Sequence, residues 1–351
     1  MLISPPQENL VYNNINPLIY CHVVSLMNKI AFTQESHYLE TMQKHVTPFW
    51  ERRQHGFYQG EKETQLHWVS FTSPANRKAI MVVNGRIESV YKYQELFYDL
   101  FCQGYDIYSF DHRGQGLSDR LTTNRDIGHI EEFNDYILDL NSMTQHLIAP
   151  EDYQDCYLLG HSMGGAIVTQ YVETHSHPYS AVALSAPMHG IHIQPWLKPI
   201  AGPISRYLSR WASQPSYALG QAPYHAKPFL DNTLTTCEIR YQWFRELYDL
   251  KPELQIGGPS NHWVNQSLKG SKLCVEQAAS CSVPVLLLQG ENDRIVDNNA
   301  HTTFQKNAPD CQLITIKNAK HELLFESDVC RNQALSNILD FFQQHRSPLE
   351  V

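Results

Sequence analysis

Residues 158–166 read LLGHSMGGA. An apolar run leads into the stretch, a helix-forming run leaves it, and a serine lies between two glycines. Gly160-His161-Ser162-Met163-Gly164 fits G-x-S-x-G, the pattern of a nucleophile held on a sharp strand-to-helix turn. The turn is tight, so its flanking positions must be small, and it leaves the hydroxyl exposed at the carboxyl end of a sheet. The bare pattern is common by chance, and its bland reading is a structural turn. The strand before it, the helix after it and the extra Gly165 make it specific.

The sequence around this turn alternates between strand-like and helix-like stretches. Short apolar runs ending at turn residues occur at 79–85, 106–114, 156–162, 181–187, 283–290 and 312–319, with an alternating stretch at 66–71. Continuous apolar runs of this kind are typical of parallel strands buried on both faces. Helical patterns lie between them at 89–103, 133–148, 164–175, 297–306 and 328–344. The alternation predicts an α/β fold with a doubly wound, mostly parallel sheet. It breaks between about 188 and 280. From Pro187 on, this region holds nine of the 19 prolines, together with Trp196, Trp211, Trp243 and Trp263. Prolines this dense exclude long regular strands, whereas 237–250 reads as a helix. The expected organisation is an N-terminal extension (1–44), a core in two parts (45–187 and 281–351), and a helical cap inserted over 188–280.

A serine hydroxyl is a weak nucleophile and needs a positioned base. On a sheet of this type the order along the chain is serine, acid, histidine, each at a strand end. The run LLLQGENDRIVD delivers Asp293, with Glu291 as a close rival, and ITIKNAKHELLF delivers His321. Asp293 would hold the imidazole in the right tautomer and stabilise the imidazolium. His161 and His112 also lie near the turn, where packing and loop hydrogen bonding explain them more simply. The oxyanion donors expected are the backbone N–H groups of Met163 and Arg86, the second from the loop after the run AIMVVNG. The pairs His175/His177 and His189/His192 have no carboxylate or cysteine cluster beside them, so no metal and no cofactor are expected. DHRGQG (111–116) lacks the third glycine of a dinucleotide loop and reads as a turn beside the site.

Composition narrows the partners. The 351 residues are 42% apolar and 18% charged, which is globular. A net charge of −9 with a pI near 6.0 argues against nucleic acid and against a polybasic membrane anchor. The eight cysteines form no C-x-x-C, so free thiols in a reducing compartment are expected. Residues 17–27, PLIYCHVVSLM, have no basic residue before them and no small-residue cleavage site, and eleven residues are too few to span a bilayer. A cytoplasmic protein is the expectation.

GHSMGGA, DHRGQGLSD, LLLQGENDRIVD and KHELLFE together resemble the monoacylglycerol-lipase-like branch of the α/β-hydrolases. NGRIESVYKYQEL (84–96), GHIEEFNDYILDL (128–140) and GGPSNHWV (257–264) are similar to the bacterial lysophospholipases of the PldB type. The similarity runs from about residue 45 to the C-terminus. It implies that Ser162, Asp293 and His321 are nucleophile, acid and base. It also implies hydrolysis of the remaining acyl ester of a lysophospholipid by a cytoplasmic enzyme that is peripheral on the inner membrane. Many serine hydrolases carry His-Gly at the oxyanion strand, where this chain has Asn84-Gly85. The donor is a backbone group, so the change matters little.

Read from its residues alone, the chain is a serine esterase with an apolar cap, and alternatives stay open. A monoacylglycerol lipase or a general carboxylesterase would share every motif. A phosphate head group needs cations, for which Arg86, Arg113, Lys198 and Arg294 are near the site in sequence. A cytosolic aminopeptidase would need an anionic cluster in the cap, which Asp231, Glu238, Glu246, Asp249 and Glu253 could form. A non-catalytic lipid-binding protein on the same fold would have no use for a complete triad.

Overall fold

The structure, a computed structural model, describes residues 32–192 and 214–347. Its centre is an eight-stranded sheet in the order β1-β2-β4-β3-β5-β6-β7-β8. The strands are β1 (Gln54–Gln59), β2 (Gln65–Phe71), β3 (Lys78–Val83), β4 (Asp106–Phe110), β5 (Asp155–His161), β6 (Tyr179–Ser185), β7 (Val285–Gly290) and β8 (Cys311–Ile316). β1 and β2, and β2 and β4, pair antiparallel; every other neighbour pair is parallel. All six apolar runs and the alternating stretch at 66–71 contain a strand. β4 and β5 are buried at every position, which is why their sequences read as unbroken apolar runs rather than as alternation.

Helices cover both faces, as the doubly wound expectation requires. On one face lie the helices Gln94–Cys102 and Asp328–Gln344. On the other lie Phe133–Leu147, Met163–Thr174, Asn261–Glu276 and Asn298–Asn307. After β3 the chain moves outward to β4, then crosses back to place β5 on the other side of β3. That reversal leaves a crevice beyond the carboxyl ends of β3 and β5, the usual ligand position in such sheets.

Two expected segments take different places. Residues 32–44, read as part of an extension, pack onto the core. Tyr38 and Met42 are buried in the same cluster as Phe97 and Phe342, and Thr33 hydrogen-bonds Glu95 and Asp99. The helix Asn261–Glu276, read as cap, lies in the core layer. Gly270 sits where a Cβ would come 2.6 Å from the Phe133 ring, and Gln170 donates to the Gly270 carbonyl at 2.9 Å. The cap segment that remains within the described residues is 214–260, with the helix Glu238–Leu250. It is anchored to the core by Arg240, whose buried guanidinium pairs with Glu95 and Asp328, each at 2.9 Å. Trp196, Trp211 and Lys198 lie outside the described residues.

Six cysteines, at 156, 237, 274, 281, 311 and 330, are free thiols. Cys102 is disulfide-bonded, so the expectation of free thiols fails at that position. No helix among the described residues is long and apolar enough to cross a membrane.

Candidate active site

Ser162 follows β5 and opens the helix Met163–Thr174 with φ 53° and ψ −115°. This left-handed conformation is strained for a serine and persists only where the surroundings impose it. They do so here through glycines: a Cβ on Gly164 would lie 2.2 Å from the Val83 carbonyl oxygen, and one on Gly160 would lie 2.8 Å from the Cα of Gly165. The Ser162 N–H donates to the Ser185 carbonyl at 3.0 Å, and its own carbonyl accepts from the Met188 N–H at 2.9 Å.

The structure brings Ser162, His321 and Asp293 together. His321, in the loop after β8, places Nε2 2.9 Å from Ser162 Oγ. Its Nδ1 lies 2.7 Å from Asp293 Oδ2. The Asp293 side chain is fully buried after β7, and its Oδ1 accepts from the N–H groups of Ile295 and Val296. Burial raises the Asp293 pKa, but the His321 ring and these three hydrogen bonds outweigh it and hold the carboxyl below its ordinary value. An ionised Asp293 fixes the His321 proton on Nδ1, which leaves Nε2 free to accept the serine proton. Glu291, the rival acid, is exposed and accepts from the Asn318 N–H at 2.9 Å.

The neighbouring histidines are held elsewhere. His161 donates Nδ1–H to the Ser185 carbonyl at 3.0 Å, and burial pushes its pKa down to about 4. His112 donates Nε2–H to the Asn84 carbonyl at 3.0 Å and is likewise pushed down by burial to about 4. Both are neutral scaffolding, one behind the serine and one behind the loop after β3. His189 bonds Thr169, His177 bonds Ser282 and His175 bonds Thr174. Among the described residues no three His, Cys, Asp or Glu side chains gather where they could hold a metal ion.

In the loop after β3, the Gly85 N–H is taken by Glu88 Oε2 at 2.5 Å. The next N–H, that of Arg86, and the N–H of Met163 pair with no acceptor among the described residues. Behind them lies a network that the sequence did not reveal. The Lys92 ammonium contacts Glu88 Oε1 and Glu322 Oε1, each at 2.7 Å, and all three side chains are at most 5% exposed. Glu88 also accepts from the Tyr93 hydroxyl at 2.6 Å. One cation therefore ties the loop carrying Arg86 to the residue after His321. Burial raises the Glu88 pKa, but Lys92 and the hydrogen bonds overcome this and hold the carboxyl well below its ordinary range. The spacing of Glu88 and Lys92, four residues apart, was the only trace of this network in the sequence.

These groups open into a cavity of about 580 Å³ roofed by the cap, with Met188, Tyr241, Phe244, Ile256 and Trp263 among its walls. Of the cations expected near a head group, Arg86 and Arg294 line it. Arg113 does not: Asp139 holds it bidentately at 2.6 Å, with Asp135 at 3.6 Å. The five cap acids, Asp231, Glu238, Glu246, Asp249 and Glu253, are all exposed, and none lines the cavity.

Comparison with known proteins gives a consistent picture. Residues 74–328 match the family model described as serine aminopeptidase, S33. The chain is 37% identical to lysophospholipase L2 of Escherichia coli K12 over 86% of its own length and 91% of that protein. It is 33% identical to a probable lysophospholipase L2 of Haemophilus influenzae, over 84% and 94% respectively. Among solved structures, a soluble variant of a Saccharomyces cerevisiae monoglyceride lipase superposes with a TM-score of 0.65. That match has 17% identity and covers 84% of this chain and 96% of the yeast one.

Proposed function

The chain belongs to the serine aminopeptidase S33 family of α/β-hydrolases and is a homologue of the lysophospholipases L2, and on that premise we propose that it hydrolyses the carboxylic ester of lysophospholipids. The products are a fatty acid and a glycerophospho-alcohol. The observation that carries the chemistry is the unbroken chain from Ser162 Oγ through His321 to the buried Asp293, opening into an apolar-walled cavity.

In this reading Ser162 Oγ attacks the ester carbonyl while His321 Nε2 takes its proton. Asp293 accepts the Nδ1–H and steadies the imidazolium as it forms. The N–H groups of Arg86 and Met163 receive the oxyanion, and the glycerol oxygen leaves with the proton held by His321. Water then repeats the sequence on the acyl-enzyme. The acyl chain lies among the aromatic side chains of the cap. The substrate is a small amphiphile of a bilayer, and the enzyme meets it by transient contact with the cytoplasmic face of the inner membrane. The exposure of all five cap acids argues against an ammonium-binding aminopeptidase site.

The test is release of fatty acid from 1-acyl lysophospholipids by the purified chain, beside monoacylglycerol and short esters. Turnover of lysophospholipid with the higher kcat/KM, abolished in Ser162→Ala, is the expected result. Turnover of neutral esters alone would overturn the assignment.

A further inference from the structure

The cavity around Ser162 has a charge opposite to that of the chain. The protein carries a formal net charge of −9, yet five Lys or Arg side chains and only two carboxylates line the cavity. Both carboxylates, Glu88 and Glu322, are bound by one of the five cations, Lys92. The other four, Arg86, Lys227, Arg245 and Arg294, have no carboxylate partner among the described residues. A cavity of this kind favours an anionic ligand over a neutral or cationic one.

Arg86 and Arg245 both lie over aromatic rings and both have a buried Nε without an acceptor. Of the two, only Arg86 is in the loop after β3, on the residue whose backbone N–H is the expected oxyanion donor. Its Nη2 donates to the Gly257 carbonyl at 2.8 Å, and its guanidinium lies over the Trp263 ring at 4.8 Å. At Gly128 there is room for it only because a Cβ is missing, since one would stand 2.9 Å from Nη2. The segments 84–96, 128–140 and 257–264, which stood out in the sequence, thus meet at one guanidinium. Its Nε is buried and has no acceptor. Burial pushes its pKa down to about 10, which leaves it charged at neutral pH.

The scaffold does not need that charge. The oxyanion donor at this position is a backbone N–H, which any residue but proline supplies. The carboxylate two residues away in the same loop, Glu88, is occupied by Lys92, Tyr93 and Gly85. We propose that the Arg86 guanidinium is the receptor for the phosphodiester of the substrate and so sets the preference for lysophospholipids over neutral esters; this rests on the lysophospholipase reading above. The geometry is natural. The ester oxygen sits at the Arg86 N–H, and a glycerol unit separates it from the phosphorus. Three methylenes separate the same N–H from the guanidinium. With Nη2 taken by Gly257 and Nε buried, Nη1 is the guanidinium nitrogen left to donate to a phosphate oxygen.

The experiment compares 1-palmitoyl lysophosphatidylethanolamine with p-nitrophenyl butyrate in wild type, Arg86→Gln and Arg86→Lys. The ratio of the two kcat/KM values is expected to fall about tenfold to hundredfold in Arg86→Gln, the size of one hydrogen bond to a charged group. Arg86→Lys, which keeps the charge without the guanidinium, should fall between. Equal losses on both substrates would overturn the proposal and make Arg86 a brace for its loop. A second measurement needs no variant: glycerophosphoethanolamine should inhibit wild-type butyrate hydrolysis competitively and far better than glycerol. Inhibition no better than that by glycerol would also overturn it. Wild type that cleaves the butyrate but no lysophospholipid would overturn the functional reading itself, and this proposal with it.

Discussion

Lys92→Met should be the most damaging single change outside the triad. In the native chain one ammonium sits 2.7 Å from two carboxylates, with the rings of Phe244 and Phe325 4.6 and 4.5 Å from its Nζ. Methionine fills the same space against the rings and removes only the charge. Glu88 and Glu322 are then left buried with no cation. Removing one partner of a buried pair costs about 3–5 kcal/mol, far more than the pair itself contributes. The urea midpoint should drop accordingly, with kcat down as much as about 10²-fold, since the Glu88 brace aims the N–H proposed as an oxyanion donor.

The pH dependence separates this from loss of packing. In the native chain the Glu88 pKa is held below its ordinary 4.5. Its contribution is therefore present above that value and lost only as the pH falls through the lower, folded one. Without Lys92, burial is opposed mainly by the Tyr93 and Gly85 hydrogen bonds, and the folded pKa rises. The contribution is then retained at low pH and lost as the pH rises. The stability gap between wild type and Lys92→Met should accordingly be wider at pH 8 than at pH 5.5. A gap that is the same at both pH values, or a loss of unfolding free energy under about 0.5 kcal/mol, would refute the reasoning.

Ser162→Ala and His321→Ala should each lower kcat by roughly 10⁴–10⁶ while the far-ultraviolet circular dichroism stays unchanged. Asp293→Asn should lose about 10⁴ through the wrong tautomer, whereas Glu291→Gln should keep near-wild-type rates in the same assay. Both oxygens of Glu173 are buried without a partner, and burial raises its pKa to about 9. Its raised folded pKa makes it least harmful below about 4.5 and increasingly harmful toward pH 9, so Glu173→Met should stabilise by about 2–3 kcal/mol at pH 7. That gain should shrink in melts at pH 5.

What the sequence disclosed follows from how each element is buried. Strands covered on both faces appear as apolar runs, so β3 through β7 were legible, while β2 and the half-exposed edge strand β8 kept enough apolar positions to be read. β1, QHGFYQ, is a mostly exposed antiparallel edge with a glycine inside it, and it left no signal. The helix Asn261–Glu276 was grouped with the cap because NHWVNQSLKGSKLCVE is polar and carries a mid-helix glycine, normally a weakness. That glycine is what lets the helix approach Phe133. Ser162, Asp293 and His321 were legible because each follows an apolar run at a strand end. Lys92 and Glu322 lie 230 positions apart, and only the folded sheet brings them together.

The loop of residues 84–92 contributes to the site in two ways that a double-mutant cycle can separate. The backbone of Arg86 is aimed through Gly85, Glu88 and Lys92. Its guanidinium is held by a different set, Gly257 and Trp263. The two sets share no side-chain partner, and effects at sites without shared partners combine additively in free energy, to within about 0.5 kcal/mol. Lys92→Met should therefore slow lysophospholipid and p-nitrophenyl butyrate hydrolysis in equal proportion. Arg86→Gln should change their ratio, and the double variant should show the product of the two effects. Equal ratios in Arg86→Gln and the double variant would fit this picture. A ratio that recovers or collapses when Lys92→Met is added would mean that the guanidinium is positioned by the loop rather than by the segments around 128 and 257.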